Sequence, residues 1–184
     1  MIEERRLIKR IKVPEGVEIT IEGNLFKAKG ASGETERRFN DPMIMIEKDN
    51  DKIVIKPKKF TKKQKCLVNT TKAHVLNLIK GVKDGFVYKL KICSGHFPMN
   101  VSLEGNKLVI KNFFGEKVPR VAKILDNVKV EVKGDLVTVS GSNIEAVGQT
   151  ATNIEQSTRI TNRDRRVFQD GIWIIEKAGK KVAR

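Results

Sequence analysis

Four arginines stand within eight residues, at Arg159, Arg163, Arg165 and Arg166. Six lysines stand within ten, at Lys56, Lys58, Lys59, Lys62, Lys63 and Lys65, with no acid among them. Such side chains bind oxyanions. Arg offers a planar fork of N–H donors that matches two phosphate oxygens at once, and Lys offers a compact point charge. Thr161 and Asn162, between the arginines, add neutral donors, and Lys117, Lys177, Lys180 and Lys181 extend the basic set. One lysine run alone reads as a solvated face. Two clusters on a chain of 37 bases, 22 acids and formal charge +15 point to a polyanion, because such an excess repels itself in a compact fold. Nucleic acid is the leading partner and an anionic membrane surface the second. Lys62 and Lys63 also stand at an expected helix start, where the backbone dipole disfavours cations and a bound anion would offset that cost.

Other chemistry is poorly supplied. Cys93 and His96 have the spacing of two metal ligands, but a structural zinc site needs four, and Cys66 and His74 are not spaced to complete it. Gly30-Ala31-Ser32-Gly33 lacks the lysine and helix of a phosphate loop. The acids are scattered singly. No catalytic group, metal or cofactor is expected. Two cysteines make no disulfide framework, which suits a reducing cytoplasm. No apolar run approaches the roughly 18 residues of a membrane span. Met1–Lys12 lacks the apolar stretch of a secretory signal.

The elements that must position these residues come in two sets. Glu22-Gly23-Asn24 returns as Glu104-Gly105-Asn106, and Asp51-Lys52-Ile53-Val54-Ile55 returns near Gly134-Asp135-Leu136-Val137 at almost the same offset. Val17, Ile19 and Ile21 alternate with polar neighbours as in a half-buried strand, and Gly-Asn then suits a tight turn into Phe26 and Ala28. Val101 and Leu103 lead likewise into Leu108 and Ile110. Further hairpins are expected at Asp49-Asn50-Asp51 and Gly134-Asp135.

Each set of strands is followed by one helix. Thr61 with Gln64 and Ser142 with Glu145 read as capping boxes. The expected buried stripes are Leu67, Thr71, Val75 and Leu78, ended by Gly81, and Ile144, Val147, Ala151 and Ile154. The expectation is an α+β chain of two tandem copies of a small antiparallel sheet covered by one helix. Residues 1–83 form the first, with Met1–Arg10 as a charged lead-in, residues 84–158 the second, and residues 159–184 a basic tail with a short strand around Trp173.

Residues 1–83 hold 20 bases against 11 acids, residues 84–158 hold 9 against 8, and residues 159–184 hold 8 against 3, so charge concentrates in the first copy and the tail. Phe113 and Phe114 read as a hairpin tip. Neighbours on a strand face opposite ways, so at most one belongs to the core, and the other either stacks on an unpaired base or packs on a partner. Phe97 has the same two readings.

The stretch Val147-Gly148-Gln149-Thr150-Ala151-Thr152-Asn153-Ile154-Glu155-Gln156, then Arg163-Asp164-Arg165-Arg166-Val167-Phe168-Gln169-Asp170-Gly171-Ile172, resembles the large-ribosomal-subunit protein L-six family in its archaeal and eukaryotic form. Gly33-Glu34 to Phe39 and the overall length agree. The resemblance implies two similar α/β units in the cytoplasmic ribosome, bound to large-subunit rRNA mainly through the second unit and tail. It also implies neighbouring large-subunit proteins and a place near the translation-factor side. By position it assigns RNA contact to Phe113–Lys117 and Arg159–Arg166. The nearly uncharged body of the second unit sits awkwardly with a division in which that unit alone holds RNA. The competing expectation is an RNA-processing or RNA-modifying enzyme using the same basic surface.

Overall fold

The computed structural model describes residues 7–182. These fall into two compact units, residues 7–85 and 86–182. The first contains β1 (Lys9–Lys12), β2 (Glu18–Glu22), β3 (Leu25–Gly30), β4 (Gly33–Arg38), β5 (Ile44–Asp49), β6 (Lys52–Pro57) and helix α1 (Lys62–Lys83). The second contains β7 (Phe86–Cys93), β8 (Asn100–Glu104), β9 (Lys107–Lys111), β10 (Arg120–Lys123), β11 (Val128–Lys133), β12 (Leu136–Gly141), α2 (Ile144–Ser157), β13 (Gly171–Lys177) and β14 (Lys180–Lys181).

The units repeat one topology. Sheets of order β1-β6-β5 and β2-β3-β4 in the first return as β7-β12-β11 and β8-β9-β10 in the second. The sheet of each copy is thus divided in two. Gly23 and Gly105 occupy equivalent two-residue turns, closing Glu22 onto Leu25 and Glu104 onto Lys107 at φ +60° and +59°. The second unit adds β13, which pairs antiparallel with the outer edge of β7, and β14 beyond it. The stretch read as a tail therefore belongs to that unit's largest sheet. Of the lead-in, Met1–Arg6 lie outside the described residues, while Lys9 and Arg10 belong to β1 and pair with Ile55 and Val54.

Each helix buries one stripe against its own sheets. In α1 the stripe is Val68, Thr71, Val75, Leu78, Ile79 and Val82; Leu67 stands at its margin, one residue off the expected position. In α2 it is Val147, Thr150, Ala151 and Ile154, and Ile144 is only partly buried. Each fully buried Val or Ile contributes about 1.5–3 kcal/mol. Thr61 caps α1 through its hydroxyl, which accepts from the Gln64 N–H at 3.4 Å. The Gln64 side chain does not complete the box: its oxygen is buried without a partner. The cap of α2 is Asn143, whose Oδ1 accepts from the Glu145 N–H at 2.9 Å, and not Ser142. A carboxamide one residue nearer the helix reaches that N–H directly. Nor does Gly81 end α1. The helix runs on to Lys83, Asp84 caps it, and Gly85 takes the left-handed turn at φ +74°.

The helix C-termini are closed differently in the two copies. The β3–β4 turn presses onto the end of α1, where Ser32 donates its N–H to Val82 O and its hydroxyl to Lys83 O. A Cβ at Gly30 would lie 2.6 Å from Val82 O, so only glycine allows this approach. In the second unit Arg120 does the work, its Nη1 donating to Ser157 O and Arg159 O, each at 3.0 Å. The short turn Ala31-Ser32 is there replaced by the eight-residue loop 112–119 between β9 and β10.

Candidate nucleic-acid interface

Three loops of the second unit meet: residues 94–99 between β7 and β8, 112–119 between β9 and β10, and 158–170 between α2 and β13. Asp170 joins the first and third. Its buried carboxylate accepts from the backbone N–H groups of Gly95 and His96 and from His96 Nδ1 at 2.9 Å. Burial pushes the Asp170 carboxyl upward, and these hydrogen bonds outweigh it, holding the group below the usual carboxylate range. Asn112 joins the first and second loops, its side-chain amide donating to Pro98 O at 3.0 Å. Arg120 braces the second from below. Its guanidinium grips Glu116 at 2.8 and 2.6 Å and lies 4.3 Å from the Phe113 ring centre. That pairing lowers the Glu116 carboxyl below its ordinary value.

Aromatic rings fill the junction. Phe114 lies edge-on to Phe113 at 4.8 Å and to Phe168 at 5.8 Å, and the His96 ring is 5.0 Å from Phe168. The Arg163 guanidinium lies over both Phe114 and Phe168, at 5.0 and 5.1 Å. Arg165 lies 5.6 Å from the Trp173 ring, whose Nε1 donates to Gln169 O. A guanidinium over a ring face keeps its charge and most of its N–H groups while losing freedom before it binds anything.

The expected site residues sort as follows. Arg159, Arg163, Arg165, Arg166, Lys117 and Phe114 all lie on the meeting loops. Phe113 does not serve there: it is 1 % exposed and belongs to the core with Leu108 and Ile110. The stretch does lie at the tip of the β9–β10 hairpin, but not as strand: Phe113–Gly115 is a 3-10 turn in which Phe114 takes φ +50°, entered from Asn112 at φ +61°. The arginine segment folds into a turn. Phe168 N–H closes a turn onto Asp164 O at 2.9 Å, and Arg163 and Arg165 rest on different aromatics. Arg166 is held by Asp164 at 2.7 Å, which lowers that carboxyl and occupies part of the guanidinium fork.

Lys177, Lys180 and Lys181 surround the β13–β14 turn, at the other end of β13 from Gly171 and about 20 Å along the strand from the loops. Lys58, Lys59, Lys62 and Lys63 are exposed in the first unit, from the end of β6 into the first turn of α1, which contains no acid. Lys56, counted with them, is paired to Glu47 at 2.6 Å. Among the described residues no three His, Cys, Asp or Glu side chains gather as a metal would need, and no helix is long and apolar enough to cross a membrane.

Arg120, His96, Phe168 and Asp170 were missed as parts of the site. Phe168 and Asp170 lie in the quoted Phe-Gln-Asp-Gly stretch, so their positions were marked but not their roles. The capping role of Arg120 carries no local signal, since the carbonyls it reaches lie 37 and 39 residues away.

A duplicated α+β chain with a basic, aromatic-braced loop face defines a class: proteins that present ordered cations on the loops of a repeated α+β unit. The comparisons with known proteins narrow that class. The model of the family described as Ribosomal protein L6 matches twice in tandem, at residues 13–85 and 97–171. A "Large ribosomal subunit protein uL6" of Methanobrevibacter smithii is 46% identical over 177 residues, covering 96% of this chain and 99% of that protein. The protein of the same name in Methanosarcina mazei is 48% identical over 174 residues, covering 95% and 99%. That of Methanococcus vannielii is 46% identical over 170 residues, covering 92% and 93%. The chain belongs to the Ribosomal protein L6 family.

Proposed function

We propose that this chain is a structural, non-catalytic constituent of the large ribosomal subunit, working in translation in the cytoplasm and binding rRNA through the three-loop face of its second unit. The observation that carries the reading is the seating of Arg163 over Phe114 and Phe168 beside Arg165 on Trp173. Two guanidiniums are ordered in advance and directed by the fold, as a phosphate-gripping surface requires. The names of the relatives support the large subunit as the place of assembly. The lysines of the first unit and the β13–β14 turn serve as secondary phosphate contacts. Neighbouring large-subunit proteins are further partners, and the translation-factor side is the position in the subunit.

Gradient sedimentation tests this. Co-migration with the large subunit in high salt is the expected result. Free protein that turns over an RNA substrate would replace it with the enzyme reading. His96 gives that reading little support, because its Nδ1 is engaged in holding the loop to Asp170.

A further inference from the structure

We propose that Phe97 is a stacking platform for an unpaired base of the bound RNA, an inference that rests on the RNA-binding reading of this face. Phe97 is 44 % exposed, although it sits in one of the most heavily braced loops of the unit. Asp170 holds the two residues before it through the Gly95 and His96 N–H groups. Asn112 holds the carbonyl of Pro98, the residue after it. Gly115 lies against the ring: a Cβ there would be 3.5 Å from Phe97 Cε1, an ordinary contact distance, so the loop backbone supports the ring from beneath. The exposed part of an apolar ring gains nothing for the isolated fold. Singly exposed apolar residues are common, and this one is fixed from both sides and beneath.

The surroundings select the occupant. Lys117, Arg159, Arg163 and Arg165 share these loops, so a polyanion approaching them brings its bases alongside Phe97. Duplex RNA hides its base faces, whereas an unpaired base can leave the stack and lie on an aromatic ring. The neighbouring Phe114 is held at φ +50°, a conformation bulky residues rarely adopt. That turn brings Gly115 rather than a larger side chain under Phe97. Arginine supplies the phosphate grip and Phe97 the preference for an unpaired nucleotide.

The probes are an RNA hairpin with a single bulged 2-aminopurine and the same hairpin fully paired. The wild-type chain should bind the bulged hairpin about ten- to a hundredfold more tightly and quench its fluorescence. Phe97→Ala should lose both the preference and the quench, with melting temperature and salt slope unchanged, and Phe97→Trp should retain both. Equal wild-type affinity for the two hairpins, or an unchanged bulge preference in Phe97→Ala, overturns the stacking proposal while leaving RNA binding intact. So does an equal loss on both hairpins, which makes Phe97 a loop support or a protein contact. Failure of the wild-type chain to bind either hairpin, against binding of extracted large-subunit rRNA, also overturns stacking. Failure to bind any of the three removes the RNA reading itself.

Discussion

Asp170 and His96 are joined across 74 positions of chain by a 2.9 Å contact to His96 Nδ1 and a second to its backbone N–H. This pair clips the β7–β8 loop to the end of the α2–β13 connection, so one buried carboxylate helps to order the basic face. An Asn side chain at 170 keeps one acceptor but turns an amide toward the Gly95 and His96 N–H groups. Asp170→Asn should cost about 1–3 kcal/mol near neutral pH. The Asp170 carboxyl is held below its ordinary value of 3.8, so its contribution is complete above that pH and is lost as pH falls through the lower folded value. Denaturant melts of both proteins from pH 7 to pH 2.5 should show the gap closing only in the acid range. A gap independent of pH would assign the loss to shape alone.

Arg120 caps the carbonyl end of α2, pairs with Glu116 and covers the Phe113 ring. Arg120→Ala should therefore destabilise the second unit by about 2 kcal/mol. It should loosen the 112–119 loop, read as faster hydrogen exchange there and at residues 158–160. Exchange confined to the mutated strand would show that the loop stands without it.

Much of this architecture is legible in the sequence, for identifiable reasons. The hairpins, helices and duplication follow from alternation at Ile19 and Ile21, the Gly23 and Gly105 turns, and helical spacing from Thr71 to Leu78 and Val147 to Ile154. These are local signals, spent within a few residues. The site was legible only in composition. Arg163 and Arg165 were marked by charge, but their perches are rings contributed by the β9–β10 loop and β13, which spacing does not reveal. The same limit explains Phe113, whose inward direction is set by a 3-10 turn where a strand was expected. It also explains the cap of α2, where Ser142 and Asn143 are both good capping residues and only backbone geometry chooses.

Trp173 anchors β13 beside Arg165 and donates to Gln169 O. Trp173→Ala should lower stability by about 2 kcal/mol, below the full cost of a core aromatic because the ring is only half-buried. RNA affinity should fall as a consequence of lost order in residues 163–170. Paired melting and filter-binding measurements across a temperature series would show affinity recovering on cooling. A loss of affinity with unchanged stability and order would make the indole itself a contact.

The lysines of the first unit offer a separate test. Replacing Lys58, Lys59, Lys62 and Lys63 together by Ala should leave the fold intact, because all four are exposed, and should flatten the salt dependence of rRNA binding. Removing Lys62 and Lys63 also relieves unfavourable charge at the start of α1, so melting temperature should hold or rise slightly. Unchanged slope and affinity would mark the cluster as a solvated face.

The most direct measurement is the salt dependence of binding to extracted large-subunit rRNA, for the wild-type chain and for Arg163→Ala with Arg165→Ala. Each phosphate contact releases condensed counterions, so log affinity should fall linearly with log salt, and the double variant should bind more weakly with a slope shallower by about 1.5. Its melting temperature should stay near that of the wild type, since both arginines are exposed. Wild-type affinity and slope in the double variant would contradict the assignment of this face to RNA.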